Sequence, residues 1–139
     1  MALFPDDMPG VDPGFDDAAF WEHCRNQSLK FQTCGSCGTP RHPPGPVCPA
    51  CQSLDVVWRG APAPAELYSF TVVHYASHPA VKQNLPYVVG LVTFPDLPGV
   101  KLVTNITEVD PADVEIGMAL TLWWDDVGDG MFLPRFRPA

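Results

Sequence analysis

Hydrophobic positions change their period along this chain. Between Asp16 and Arg25, Phe20, Trp21 and Cys24 recur at i, i+1, i+4, which predicts a helix with one covered face. Asp16 and Asp17 at its start suit the positive end of the helix dipole. Leu29 to Gln32 predicts a short strand, and Val56 to Arg59 a second that pairs back towards it. From Glu66 onward, β-branched and aromatic residues predict five strands: Leu67–Tyr75, Tyr87–Phe94, Val100–Ile106, Met118–Trp124 and Met131–Phe136. The third alternates most cleanly, with Val100, Leu102, Thr104 and Ile106 set against Lys101, Val103 and Asn105. Gly90 is expected to mark a bulge or sharp coil in the second. Pro111 after Asp110 predicts a single capped helical turn. The Asp- and Gly-rich stretch Asp125–Gly130 predicts the turn between the last two strands.

These elements define a mainly β chain. An acidic flexible tail is expected over residues 1–14, an N-terminal helix and a small ribbon over 15–60, and a barrel over 61–139. Five strands with a helical turn between the third and fourth predict an OB-fold barrel of Greek-key type, although strand count alone also allows an SH3-like barrel. Proline is abundant, with 17 residues. Four of them stiffen Thr39–Val47, so this loop is expected to avoid regular pairing and to stand out as a ridge carrying Arg41 and His42. Gly60–Ala65, with Pro62 and Pro64, is expected to be a hinge.

Charge narrows the functional classes. Sixteen acidic residues against eight basic ones give a net charge of −8. Nucleic-acid binding relies on Lys and Arg neutralising phosphates, so the overall field opposes it. Its remaining support is the barrel itself, with Tyr68, Phe70 and Tyr75 as candidate stacking platforms. Apolar runs are far shorter than the roughly 18 residues that cross a bilayer. The first residues lack the basic and apolar regions of a signal peptide. Together with thiol chemistry this leads to an expected cytoplasmic location.

The sharpest chemical signal is a pair of CxxC motifs, Cys34-Gly-Ser-Cys37 and Cys48-Pro-Ala-Cys51, separated by ten residues. Each tight turn offers two thiolates. Two such knuckles brought together make a closed four-sulfur zinc site. Disulfides or a redox CxxC are the alternatives, but a redox motif normally sits singly in a βαβ setting that is not visible here. A site with four protein ligands is structural, because catalytic zinc keeps a position for water. Cys24 has no spaced partner and reads as a core thiol. His42 reads as a surface residue beside the knuckles, His74 as a hydrogen-bonded barrel residue and His78 as a solvated loop residue. No nucleophile elbow, paired carboxylates or Gly-rich phosphate loop is present to suggest an independent enzyme.

The chain resembles the DUF35 family, in which a rubredoxin-like zinc ribbon precedes an OB-fold. The likeness runs through Phe20-Trp21, the ribbon Cys34–Cys51 with its inner Arg41-His42-Pro43-Pro44, and Tyr68-Ser69-Phe70-Thr71-Val72-Val73-His74. It continues through Pro86-Tyr87-Val88-Val89, Asn105-Ile106 and the segment from Asp110-Pro111 to Ile116-Gly117-Met118. The resemblance implies a small non-catalytic subunit that associates with a thiolase-superfamily enzyme (a thiolase, an acyltransferase or an aldolase) and helps form its acyl-CoA site. It also implies a hetero-oligomer, with two copies of each subunit expected. Phe20, Trp21 and His42 are then the expected partner contacts, with the proline ridge and Phe132–Phe136 as further candidates. Arg41 and Lys82 are the expected receptors for CoA phosphates, since cations bind phosphate.

Overall fold

The computed structural model describes residues 2–61 and 64–139. Pro62 of the expected hinge lies outside the described residues. Helix α1 (Ala18–Arg25) follows Asp17 and buries Phe20 and Cys24, one turn apart. Asp17 does not cap the helix through its side chain. Its carboxylate accepts from Trp21 Nε1 at 3.1 Å, pinning the indole along the first turn.

Three short strands form the ribbon sheet in the order β2-β1-β3: β1 (Lys30–Cys34), β2 (Pro40–Arg41) and β3 (Val56–Gly60). Arg41 sits opposite Gln32 and Pro40 opposite Thr33, so the proline-rich loop does pair at its start, against expectation. A proline is tolerated there because β2 is an edge strand.

The second module is a closed barrel in the order β4-β5-β6-β8-β7. Its strands are β4 (Ala65–Val73), β5 (Tyr87–Thr93), β6 (Lys101–Ile106), β7 (Ala119–Gly128) and β8 (Met131–Pro138). Five strands closed in this order, with a 3₁₀ turn over Pro111–Asp113 between β6 and β7, form an OB-fold. Asp110 caps that turn, accepting from the Ala112 amide at 2.9 Å. Gly90 lies in unbroken register between Phe70 and Thr104, and the irregularity falls instead on β4 between Leu67 and Ser69. Close packing explains the glycine. A Cβ there would stand 2.9 Å from Ile106 Cγ1 and 3.0 Å from Leu67 Cδ1 inside the barrel. β7 runs on to Gly128, so the last turn is only Asp129-Gly130, both with positive φ.

One core joins the two modules. Phe20, Cys24, Leu29 and Phe31 belong to the same buried cluster as the barrel residues Leu67, Val92, Phe94 and Phe136. Phe31 packs on Phe94 with ring centroids 5.1 Å apart, and Phe94 on Phe136 at 6.1 Å. Burying a side chain of this size stabilises by about 2–3 kcal/mol. Arg25 ties α1 to the β7–β8 turn by donating to the Asp129 carbonyl at 2.8 Å.

Residues 2–11 of the expected tail lie across the barrel. Leu3 N–H donates to both oxygens of Asp125 (3.3 Å each), and Leu3 C=O accepts from Asn84 Nδ2 at 2.9 Å. Phe4 packs edge-on against Tyr87 at 5.3 Å, and Val11 rests on the core. Among the described residues, no helix is long and apolar enough to cross a membrane.

Candidate metal centre and its surroundings

The two CxxC motifs form matching knuckles. In the first, Gly38 N–H returns to the Cys34 carbonyl at 3.0 Å; in the second, Gln52 N–H returns to the Cys48 carbonyl at 2.8 Å. Both closing residues need a left-handed backbone, with φ of 79° at Gly38 and 65° at Gln52. A Ser36–Ser53 hydroxyl contact of 2.8 Å and a Gly35 N–H to Asp55 C=O bond of 2.9 Å hold the knuckles face to face.

This brings the sulfurs of Cys34, Cys37, Cys48 and Cys51 within 4.8 Å of one another. Cys34 to Cys51 and Cys37 to Cys48 are each 3.6 Å apart, and all four are free thiols. Sulfurs bound tetrahedrally at about 2.3 Å from one zinc would be separated by about 3.8 Å, so the cluster fits that ion. A disulfide bond, at about 2.05 Å, does not describe these pairs. Electrostatics agree with a cation site. Amide hydrogen bonds from Cys37 and Ser36, helped by the neighbouring thiols, pull the Cys34 thiol down to about 6. The Cys51 thiol is pushed up to about 12. The Ser53 amide lowers it, but the adjacent Cys34 and Cys37 and burial raise it further. Four crowded sulfurs cannot all ionise alone, and a dication removes that conflict.

Around the centre, several expected roles change. Phe20 is 2% exposed and belongs to the core, so it is not a free partner contact. Trp21 stands T-shaped on Phe20 at 5.0 Å and is half-buried. His42 is not a surface residue. Its ring packs against both Phe20 and Phe31, at 4.9 and 5.2 Å, and Nδ1 is buried without a partner among the described residues. Arg41 is 9% exposed and donates from Nη2 to the Gly45 carbonyl at 3.1 Å, while Gln32 accepts from the Gly45 amide at 2.8 Å. The pair Gln32 and Arg41 therefore clamps the loop between the knuckles, and Arg41 is withdrawn from any bulk-solvent phosphate. Lys82 is exposed on a 3₁₀ turn, Pro79–Asn84, of the barrel, in the other module. Cys24 is 1% exposed, and burial pushes its thiol up to about 12, as befits a core group.

Burial pulls the His42 imidazole down from 6.5 to about 4. Between these values the unfolded chain binds a proton that the folded chain does not. Stability therefore falls as pH drops through 6.5 towards 4, by about 3 kcal/mol. Urea midpoints at pH 7 and pH 4.5 are expected to differ more for the native chain than for His42→Leu. Loss of metal in acid affects both proteins, so their difference isolates the histidine. Equal pH responses would dismiss this role.

A second polar cluster was not foreseen. On the outer face of the barrel, Asp125 (1% exposed) accepts from Arg135 Nε at 3.1 Å, and Arg135 Nη1 donates to Asn105 Oδ1 at 2.6 Å. Asn105 Nδ2 in turn donates to the Val88 carbonyl at 3.0 Å. These side chains bridge β6 and β8, whose backbones pair only at Ile106 and Phe136. The available signal was the Asp-Gly turn, which sets Asp125 and Arg135 on one face of a hairpin two positions out of register.

Fold and site together define a rubredoxin-like zinc ribbon joined to an OB barrel. Family models agree: residues 21–57 match the ChsH2 rubredoxin-like zinc ribbon domain, and residues 58–125 match the ChsH2 C-terminal OB-fold domain. The chain belongs to the DUF35 family, in its ChsH2-type form. It is 39% identical to the solved structure described as an Ltp2-ChsH2(DUF35) aldolase, covering 94% of this chain and 98% of that one with a TM-score of 0.82. A DUF35-family protein of unknown function from Sulfolobus solfataricus shares the fold at 17% identity and a TM-score of 0.60, over 87% of this chain and 83% of that one. A probable enoyl-CoA hydratase alpha subunit from Thermomonospora curvata is 43% identical over 88% of this chain. The 3-oxo-4,17-pregnadiene-20-carboxyl-CoA hydratase alpha subunit of Mycobacterium tuberculosis is 29% identical over 91% of it. The chain spans only 38% and 39% of those two proteins.

Proposed function

We propose that this protein is a non-catalytic, zinc-stabilised accessory subunit that binds a thiolase-superfamily enzyme and helps form its acyl-CoA site. The observation that carries this reading is the near-complete match to the DUF35 chain of an Ltp2-ChsH2 aldolase. The names of the two hydratase alpha subunits add CoA thioesters as the substrate class and a multi-subunit setting. Their hydratase activity is not carried over, because this chain matches under two fifths of each. Zinc bound by Cys34, Cys37, Cys48 and Cys51 leaves no open coordination position, so its role is to hold the ribbon together. Helix and ribbon (15–60) and barrel (61–139) then act as one rigid platform, since their aromatic cores are continuous.

For CoA phosphates the role is proposed for Lys82, which is exposed, over Arg41, which is 9% exposed. Partner contact is assigned to exposed apolar surface such as Leu54 and Val57 on and beside the edge strand β3, and to the half-buried Trp21 on α1. The single-stranded nucleic-acid reading has less support. Asp6 lies over the β5–β6 face that OB-folds use for oligonucleotides, and Phe70 packs towards the core.

The test is purification of the tagged chain from its native cell under mild conditions. A thiolase-superfamily enzyme is expected in about equal amount, consistent with a two-plus-two assembly. In that complex, Lys82→Glu is expected to weaken acyl-CoA retention several-fold, by about 1 kcal/mol. A chain that elutes alone, and fails to bind such an enzyme when the two are mixed, would end this proposal.

A further inference from the structure

The N-terminal segment 2–11 covers the outer face of β5, β6 and β8 and accounts for an anomaly in burial there. Strand alternation turns Val88, Gly90 and Val92 of β5 inward and Tyr87, Val89 and Leu91 outward. The outward set on β6 and β7 includes Asn105 and Asp125, yet these are only 8% and 1% exposed. The covering segment contributes no strand to the sheet. Pro5 and Pro9 lack N–H donors, and the one backbone bond within the segment is a local turn, Met8 N–H to Pro5 C=O at 3.0 Å.

Its hydrogen bonds and ring contacts to the barrel lie at Leu3 and Phe4, while Val11 packs against the core. Leu3 gives its N–H to Asp125 and its C=O to Asn84, and Phe4 sits between Tyr87 and the Arg135 guanidinium, whose carbon is 5.6 Å from the ring centroid. The segment lines one side of a groove of about 390 Å³ whose other side is formed by Tyr87, Val103, Leu133 and Arg135. Beneath the segment, Arg135 links Asp125 to Asn105, and Asn105 is fixed to Val88.

We propose that residues 2–11 are a displaceable strap, and that the face they occupy is a docking site for an extended peptide segment of a partner protein. The segment that occupies this face defines the ligand chemistry. Asp125 and Asn84 read the N–H and C=O of one residue, and the Tyr87–Arg135 socket takes an aromatic side chain on the next. The strap competes in cis, so the site opens to a partner only in the fraction of molecules whose strap is lifted. The same strands form the general ligand face of OB-folds. This inference stands apart from the identity of the enzyme partner.

The probe is a fluorescent peptide with the sequence of residues 2–11, titrated by anisotropy into full-length chains. It is expected to bind Phe4→Ala at least roughly tenfold more tightly than the native chain, because the native strap occludes its own site. The same peptide carrying alanine in place of its phenylalanine is expected not to bind. Equal affinity for both chains, or no binding to a folded Phe4→Ala, would overturn the proposal. Amide exchange on the native chain is an independent check that needs no variant. The Leu3 amide is expected to exchange through local opening, well before Val92 in the barrel core. Exchange of Leu3 only on global unfolding would overturn it equally.

Discussion

Cys48→Ser is expected to abolish stoichiometric zinc and to unfold the ribbon. Cys48 is fully buried and its sulfur lies 3.6 Å from that of Cys37, so a serine hydroxyl neither reaches nor replaces a soft thiolate. Structural zinc in small ribbons contributes on the order of 10 kcal/mol, and that binding energy is folding energy. The ribbon sheet has only three strands of two to five residues, too little to persist without the metal. The damage should not stop at residue 60. Phe20 and Phe31 leave the core when the ribbon melts, and Phe94 loses its partner at 5.1 Å. The barrel is therefore expected to lose several kcal/mol rather than survive untouched. Metal analysis should fall from about one zinc per chain to well under half, with tryptophan fluorescence shifting red at the same time. A zinc-free Cys48→Ser protein with a native urea midpoint would show that the metal does not organise this fold.

Asp125→Ala is expected to cost about 3 kcal/mol or more. The carboxylate side chain is fully buried and the Arg135 side chain is 11% exposed, so removing the acid strands a guanidinium away from water. Burial already pulls Arg135 below the usual guanidinium range, and the hydrogen bond and charge of Asp125 oppose that pull. Without Asp125 the easiest relief is to hydrate Arg135 by lifting residues 2–11, which also lose the acceptor for Leu3. The variant should show a lower urea midpoint together with fast amide exchange at Leu3. Asp125→Ala combined with Arg135→Leu should recover part of the loss, because an apolar pair carries no unpaired charge. A change within about 0.5 kcal/mol for the single variant would refute this account. By contrast, Arg137 and Glu108 form an exposed pair at 2.9 Å, which contributes little.

Much of this architecture was legible along the chain. All five barrel strands, the capped turn at Asp110-Pro111 and the helix carrying Phe20 and Cys24 appear within a few residues of their expected ends. The metal cluster was legible because CxxC is a local device, in which one tight turn fixes two sulfurs and leaves only the meeting of two knuckles to the fold. Gly90 was misread for the opposite reason. Its role depends on Ile106 and Leu67, which approach it from other strands. Arg41 and His42 looked exposed because they lie in a proline-rich loop. Their true environment is set by Gly45 and by two phenylalanines, one on α1 and one on β1. The place where residues 2–11 rest was not legible for the same reason. Their composition is that of a disordered segment, and the contacts that hold them come from Asn84, Tyr87, Asp125 and Arg135, more than eighty residues away.

Spacing alone therefore determined the helix, the strands and the two CxxC knuckles, because each depends on neighbours within a few positions. Which charges are buried, which aromatic rings are shared between modules and which face the first residues cover were decided only by the tertiary structure. Those properties are set by desolvation, and desolvation depends on what distant parts of the chain bring into contact.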